Sequence, residues 1–188
     1  LKALNHNVFL HNDIVLYQQE RLWTMTSGIR KYAAKQGLIT GVCTVVICLI
    51  LFFFMIKGSM PLSAIYADLP LTVGPTGFLC ALIQIFTTRG PVKKGVVPPA
   101  GSLDEQAAYL LVPKNSVAFL IYFTIVELLL FAFAPIGILA MLGAELPRFG
   151  YIVMKALLAG AAGGLGTYHA IIFICGIYQE KLAAEQTK

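Results

Sequence analysis

Four long apolar segments dominate this sequence of 188 residues and restrict it to a helical membrane fold. They cover Leu38–Ile56, about Leu69–Thr87, Val117–Leu142 and Tyr151–Tyr178. An apolar run of 18 or more residues crosses a hydrocarbon core of ~30 Å as one helix. Only 12% of the residues are charged, about half the share found in soluble domains. The sequence therefore predicts an all-α integral membrane protein built as a four-transmembrane-helix bundle.

Lysine and arginine residues are concentrated on one side of these segments. Eleven of the 14 lie in the N-terminal tail, the loop after the second segment, or the C-terminal tail; the others are Lys57, Arg148 and Lys155. Because positive residues favour cytoplasmic loops, both termini and the middle loop are predicted to be cytoplasmic, with the bacterial plasma membrane as the expected compartment. The net charge of +5 follows this topology, so the expected partner is the lipid bilayer and not nucleic acid.

The segment boundaries predict five regions along the chain. They are a cytoplasmic or interfacial amphipathic segment (1–36), a first transmembrane hairpin (37–89), a cytoplasmic linker with a short helix (90–116), a second transmembrane hairpin (117–178) and a cytoplasmic tail (179–188). In the first region, Phe9–Trp23 mixes apolar and polar residues. Such a helix lies flat in the membrane interface or packs on the cytoplasmic face of a partner, and the sequence leaves both interpretations open.

Two short matches indicate that the hairpins are tandem parallel repeats. "ICLILFFF" (Ile47–Phe54) resembles "VELLLFAF" (Val126–Phe133), and "ADLP" (Ala67–Pro70) resembles "AELP" (Ala144–Pro147). Parallel repeats related by an axis along the membrane normal occur in transporters. A gene duplication without any role in transport would leave the same pattern.

The acids of the two A-[DE]-L-P motifs, Asp68 and Glu145, are predicted to start helices at the outer surface. Proline fits the first helical position because its missing N–H would be unpaired there. An acid just before it meets the positive end of the helix dipole. The alternative is an outer ring of acids that attracts cations.

Glu127 is the one charged residue of the third segment, about 4 Å from its midpoint at 1.5 Å per residue. A charge at this depth costs at least ~2.5–3.5 kcal/mol on insertion scales, so Glu127 should face the bundle interior. We expect it to be protonated or paired with polar residues at similar depth. The candidates are His169, Gln84 and Thr124.

Two glycines of the fourth segment, Gly160 and Gly164, form a G-x-x-x-G motif. Small residues at this spacing let two membrane helices approach closely. The motif predicts a helix contact, either within the bundle or between subunits.

Motifs for enzyme chemistry do not occur in the sequence. It lacks G-x-x-x-x-G-K-[ST], G-x-S-x-G and H-E-x-x-H, and its cysteines and histidines lack metal-site spacing. The four cysteines lie inside predicted spans and are interpreted as small core residues. We therefore expect no metal, no cofactor and no catalytic residues.

Two functions are consistent with these features. In the first, a homo-oligomer or single bundle moves protons or a small solute past Glu127, with His169, Gln84 and Thr124 assisting. In the second, the chain is a non-catalytic subunit or scaffold of a larger membrane complex. In that case, Glu127 only fixes the helix register through a hydrogen bond to a neighbour.

Cysteine-accessibility labelling tests the predicted topology. Cysteines introduced at Gly101 and Lys188 should react only from the cytoplasmic side, because the positive loops lie there. Cysteines at Ser63 and Arg148 should react from outside. Labelling of position 101 from outside would contradict the four-span topology.

Overall fold

The structure, a computed structural model, describes residues 2–97, 113–142 and 146–186, with side chains described over 28–97, 113–142 and 146–178. Within these ranges the chain is helical, apart from short connections and one isolated bridge between Met60 and Leu146. The helices are α1 (Lys2–Met55), α2 (Leu62–Lys93), α3 (Ser116–Leu128), a π-helical segment (Leu129–Phe133), α4 (Ala134–Leu142) and α5 (Arg148–Gln186).

Four stretches of these helices are long and apolar enough to cross a bilayer. They are Gly28–Met55, Leu62–Lys93, Ser116–Leu142 and Arg148–Tyr178, and the third joins α3, the π-helical segment and α4. The predicted all-α integral membrane fold with four spans is therefore confirmed. The amphipathic face predicted within 1–36, the short helix of the linker and Glu145 lie outside the residues whose side chains are described.

The second span is one continuous helix in spite of its prolines. Pro70 and Pro75 lie inside α2, and membrane helices tolerate proline where nearby groups satisfy the backbone. The hydroxyl groups of Thr72 and Thr76 donate to the carbonyls of Asp68 (3.0 Å) and Thr72 (2.7 Å). These two hydroxyl groups are thus satisfied by the helix itself.

The helix start predicted at Asp68 is wrong. The helix α2 begins at Leu62, directly after an extended Pro61, so Asp68 and Pro70 lie inside it. By contrast, Pro147 immediately precedes Arg148, the first residue of α5. The two A-[DE]-L-P motifs therefore do not occupy equivalent positions, because a proline can stand inside a membrane helix as well as at its start.

The most buried helix of the bundle is α5. In its membrane span, 61% of the most apolar window is buried, against 11% for α1. It packs against α1 on one side and α2 on the other, while α3 packs mainly on α2. The first span therefore packs mainly on the fourth, and the third span packs mainly on the second.

Paired glycines bring the backbones of α1 and α5 together. A Cβ atom on Gly164 would lie 2.9 Å from the carbonyl oxygen of Gly37, and one on Gly160 would lie 2.9 Å from that of Gly41. Side chains do not fit at such distances. The two helices run antiparallel, since Gly37 faces Gly164 and Gly41 faces Gly160. Both glycines of the G-x-x-x-G motif thus contact another helix of the same chain.

Arg148 ties the start of α5 to the end of α1. Its Nε donates to the carbonyl of Ile56 at 2.5 Å and its Nη2 donates to that of Phe53 at 2.6 Å. The last carbonyls of a helix lack partners within the helix, and a cation there also meets the negative end of the helix dipole. The guanidinium group therefore caps α1.

Substitution of Gly164 tests the contact between α1 and α5. Gly164→Leu should destabilise the protein by at least about 1–3 kcal/mol, the usual cost of overpacking, because its Cβ meets the α1 backbone. The measurement is the thermal unfolding midpoint in detergent. Gly137→Leu is the matched control, since a Cβ at Gly137 meets nothing within 4 Å. Equal midpoints for the two variants would contradict the packing.

Candidate functional site

Glu127 lies at the place where three membrane spans meet. It is the penultimate residue of α3, and only 1% of its surface is exposed. A Cβ atom on Gly166 of α5 would lie 3.2 Å from Oε1 of Glu127, and a Cβ atom on Gly77 of α2 would overlap both carboxyl oxygens. The carboxyl group therefore occupies space that two glycines leave between α2 and α5. As expected from the sequence, Glu127 faces the bundle interior.

The same two glycines bring α2 and α5 into close contact. A Cβ atom on Gly166 would lie 2.8 Å from the carbonyl oxygen of Gly77. The resulting space, which we call the glycine notch, is defined by Gly77, Gly166 and the Glu127 carboxyl group. A side chain at either glycine would displace the carboxyl group or separate the helices.

Neither carboxyl oxygen of Glu127 has a hydrogen-bond partner among the described residues, and both are buried. Buried polar groups in proteins are nearly always hydrogen-bonded. A carboxylate without a partner at this depth costs at least ~2.5–3.5 kcal/mol. The notch therefore suits a carboxyl group that binds a proton.

The predicted partners of Glu127 make other interactions. The Gln84 amide donates to the hydroxyl of Thr88 at 2.8 Å. Thr124 donates to the carbonyl of Leu120, also at 2.8 Å, within its own helix. The ring of His169 lies 4.8 Å from that of Phe123, measured between centroids. None of these three candidates is hydrogen-bonded to the carboxyl group of Glu127.

His169 and Glu127 belong to a ladder of contacts between α3 and α5. Phe123 and Phe119 precede Glu127 by one and two helical turns. They contact His169 and Phe173, respectively, and the ring centroids of Phe119 and Phe173 are 4.0 Å apart. His169 thus lies about one helical turn from the glycine notch, and the stacked rings of Phe119 and Phe173 lie one turn further on.

A π-helical segment begins two residues after Glu127. It covers Leu129–Phe133 and precedes Pro135 of α4. Proline has no N–H to donate to the carbonyl four residues earlier and its ring crowds that carbonyl, which explains a departure from α-helical geometry here. Segments of this kind are frequent at functional sites. Pro135 was visible in the sequence, but its effect on the helix beside Glu127 was not predicted.

Thr44 and Cys80 add polar atoms close to the notch. A Cβ atom on Gly163 would lie 3.1 Å from the Cys80 sulfur and 3.2 Å from the Thr44 hydroxyl oxygen. Cys80 follows Gly77 by almost one helical turn, so both face α5. Sequence reasoning missed these residues, because an isolated threonine and cysteine in apolar spans carry no spacing signal.

Asp68 belongs to a second polar cluster, nearer the end of the bundle at which α1 ends and α5 begins. Its Oδ2 accepts hydrogen bonds from the Tyr151 hydroxyl at 2.5 Å and from Lys155 Nζ at 2.6 Å. The Lys155 side chain is only 5% exposed, and its ammonium lies 4.2 Å from the ring centroid of Phe52. One ion pair thus joins α2 and α5, and the ring of Phe52 adds a contact with α1.

This outer ion pair gives Asp68 a role other than the predicted helix start. The partner of Asp68, Lys155, is buried, although a positive charge by itself favours a position at the membrane surface. The carboxylate of Asp68 and the aromatic face of Phe52 both stabilise the charge of Lys155 there. Glu145, the other acid of the predicted outer ring, lies outside the described residues.

Groups of three His, Cys, Asp or Glu residues able to hold a metal do not occur within the described part of the chain. Comparison of the sequence with protein-family models and curated proteins, and of the structure with solved structures, finds no match. The function is therefore inferred from the geometry of the two polar clusters.

A clash and its rescue test the glycine notch. Gly77→Ala should destabilise the protein by about 1–3 kcal/mol, because its Cβ overlaps the Glu127 carboxyl group. Adding Glu127→Ala should restore the thermal midpoint to that of Glu127→Ala alone, since the clashing atoms are gone. Gly74→Ala, one turn earlier, is the control, because its Cβ meets only the flexible end of Leu128. Equal losses in Gly77→Ala with and without Glu127 would contradict the notch.

Proposed function

We propose that this protein moves protons, or a small solute coupled to protons, across a membrane, and that Glu127 is the group that binds the proton. The observation that carries this proposal is the complete burial of Glu127 with both oxygens unpartnered among the described residues. Ionisable residues inside membrane spans are costly and usually functional. Here the cost is not offset by any hydrogen bond within the described part of the bundle.

The lack of a hydrogen bond to Glu127 within the described residues also favours the transport function over the scaffold alternative. An acid that only fixes helix register needs a donor or acceptor on a neighbouring helix to hold it. Glu127 instead faces two glycines, which offer no side chain. This geometry favours a group that exchanges a proton over one that holds helices in place.

Apolar layers lie on both sides of Glu127 and give the transport proposal its mechanism. Toward the predicted cytoplasmic side, Phe119 and Phe173 are stacked and almost fully buried. Toward the other side, Val73, Ala132 and Ile136 belong to a second buried cluster. In this arrangement Glu127 is closed to both surfaces, so a proton that binds there crosses only if a helix moves. His169, about one helical turn away, is the group proposed to relay the proton on the cytoplasmic side.

The finer topology forms part of the same proposal. Both termini are cytoplasmic, the compartment is the bacterial plasma membrane, and the two hairpins are tandem parallel repeats. The crossed packing supports a repeat, since α1 lies on α5 as α3 lies on α2. The protein acts as a homo-oligomer or within a larger membrane complex, and its wide apolar outer faces on α1 and the third span are in keeping with either.

Proton flux into proteoliposomes tests the role of Glu127. Glu127→Gln keeps the size of the side chain but cannot exchange a proton at the carboxyl group. Flux driven by a pH gradient or a membrane potential, followed with a pH-sensitive dye inside the vesicles, should fall about 100-fold or more, the range attributed to a positioned proton-transfer group. His169→Ala should cause a smaller loss, and the double variant a less than additive one.

The control for this experiment is Thr87→Val. Thr87 is an exposed polar residue of α2 whose hydroxyl donates within its own helix, so its loss should leave flux unchanged. Flux of wild-type size and pH dependence in Glu127→Gln would contradict the transport function. Co-purification with unrelated membrane chains would then favour the scaffold alternative.

A further inference from the structure

An open apolar groove runs along the line where α1 and α5 meet. Its volume is about 630 Å³. The glycine pairs hold the two backbones close together, and larger side chains rise on either side. The walls are formed by Leu38, Val42 and Val46 of α1 and by Leu157, Ala161 and Leu165 of α5.

The groove walls are exposed within the described part of the chain. Leu38 is 70% exposed and Leu157 is 55% exposed. The groove spans Ala34 to Val46 along α1, a length of about 18 Å at 1.5 Å per residue. Half of a hydrocarbon core is about 15 Å thick, so the groove has the length of one acyl chain in one leaflet.

Two lysines lie at one end of this groove. Lys31 and Lys35 are exposed and precede Leu38 by seven and three residues, so all three lie on the same face of α1. The first span, Gly28–Met55, is centred near Gly41. Lys31 lies about 15 Å from this centre along the helix axis, at headgroup depth, and Lys35 lies about 9 Å from it, a distance from which a lysine side chain reaches the headgroups. Tyr168 lines the same end of the groove.

We propose that this groove binds an anionic phospholipid, with one acyl chain along α1 and α5 and the headgroup phosphate at Lys31 and Lys35. Basic residues beside a cleft between membrane helices are suited to anionic headgroups. The charge of the two lysines complements that of the phosphate, and the apolar walls fit a hydrocarbon chain. This site lies on the outer surface of the bundle and is independent of Glu127.

A lipid fits the groove better than a helix from a second copy. Close helix packing in membranes requires small residues on both partners. Gly37, Gly41, Gly160 and Gly164 already face each other within one chain. The space left for an outside partner is a narrow groove between the wall side chains, and a flexible acyl chain fits that shape.

Lipid binding to the purified full-length protein tests the proposal. Native mass spectrometry in detergent would measure the affinity for phosphatidylglycerol and for zwitterionic phosphatidylcholine. The double variant Lys31→Gln/Lys35→Gln should bind phosphatidylglycerol about 30-fold more weakly, the expected effect of two lysines beside an anionic lipid. Its affinity for phosphatidylcholine should stay the same. The matched control is Lys93→Gln/Lys94→Gln at the end of α2, which should bind both lipids as wild type does.

A second variant tests the acyl chain without a change in charge. Ala161→Phe fills the groove from an exposed position, so the fold should survive, as its thermal midpoint would show. It should weaken the binding of phosphatidylglycerol and of phosphatidylcholine alike. Equal phosphatidylglycerol affinity in the two lysine double variants, or wild-type affinity in Ala161→Phe, would overturn the proposal. A dimer in wild type that Ala161→Phe disperses would assign the groove to a second copy instead. None of these outcomes depends on proton flux.

Discussion

Contact between helix backbones across α5 is the interaction on which this bundle depends. In a bilayer, apolar surface gains little by leaving lipid for protein, so close packing must supply the attraction between helices. The glycines of α5 allow it on two sides, toward Gly37 and Gly41 of α1 and toward Gly77 of α2. The Arg148 cap and the Asp68–Lys155 ion pair then tie the same helices together at the end of the bundle where α1 ends and α5 begins.

The same use of glycine also creates the candidate site. Where α2 and α5 meet at Gly77 and Gly166, two side chains are absent, and the Glu127 carboxyl group takes their place. A polar atom is thereby enclosed by backbone without a hydrogen bond from any described residue. The two polar clusters differ in this respect, since Asp68 has two donors and Glu127 has none among the described residues. Glu127 is therefore the stronger candidate for function.

The sequence predicted the features that depend on the free energy of moving a residue from water into lipid. The four spans and the inward position of Glu127 both arise from the cost of exposing the wrong group to lipid. It did not predict which groups touch, because depth alone leaves the rotation of each helix open. Gln84 and Thr124 are near Glu127 in depth but bond within their own helices. Nor did it predict the burial of Lys155, because its partner Asp68 is 87 residues away in sequence.

The π-helical segment has a geometric consequence for the third span. A π-helical turn holds one residue more than an α-helical turn, and each residue of an α-helix turns the chain by about 100°. The faces of α3 and α4 are therefore offset by one residue, so Glu127 and Ile136 both point inward although uniform α-helical winding would not place them so. The third span therefore consists of two half-helices, α3 and α4, whose inward faces are rotated relative to uniform α-helical winding. The junction between them begins two residues beyond Glu127. Rewinding of that junction would turn one half against the other.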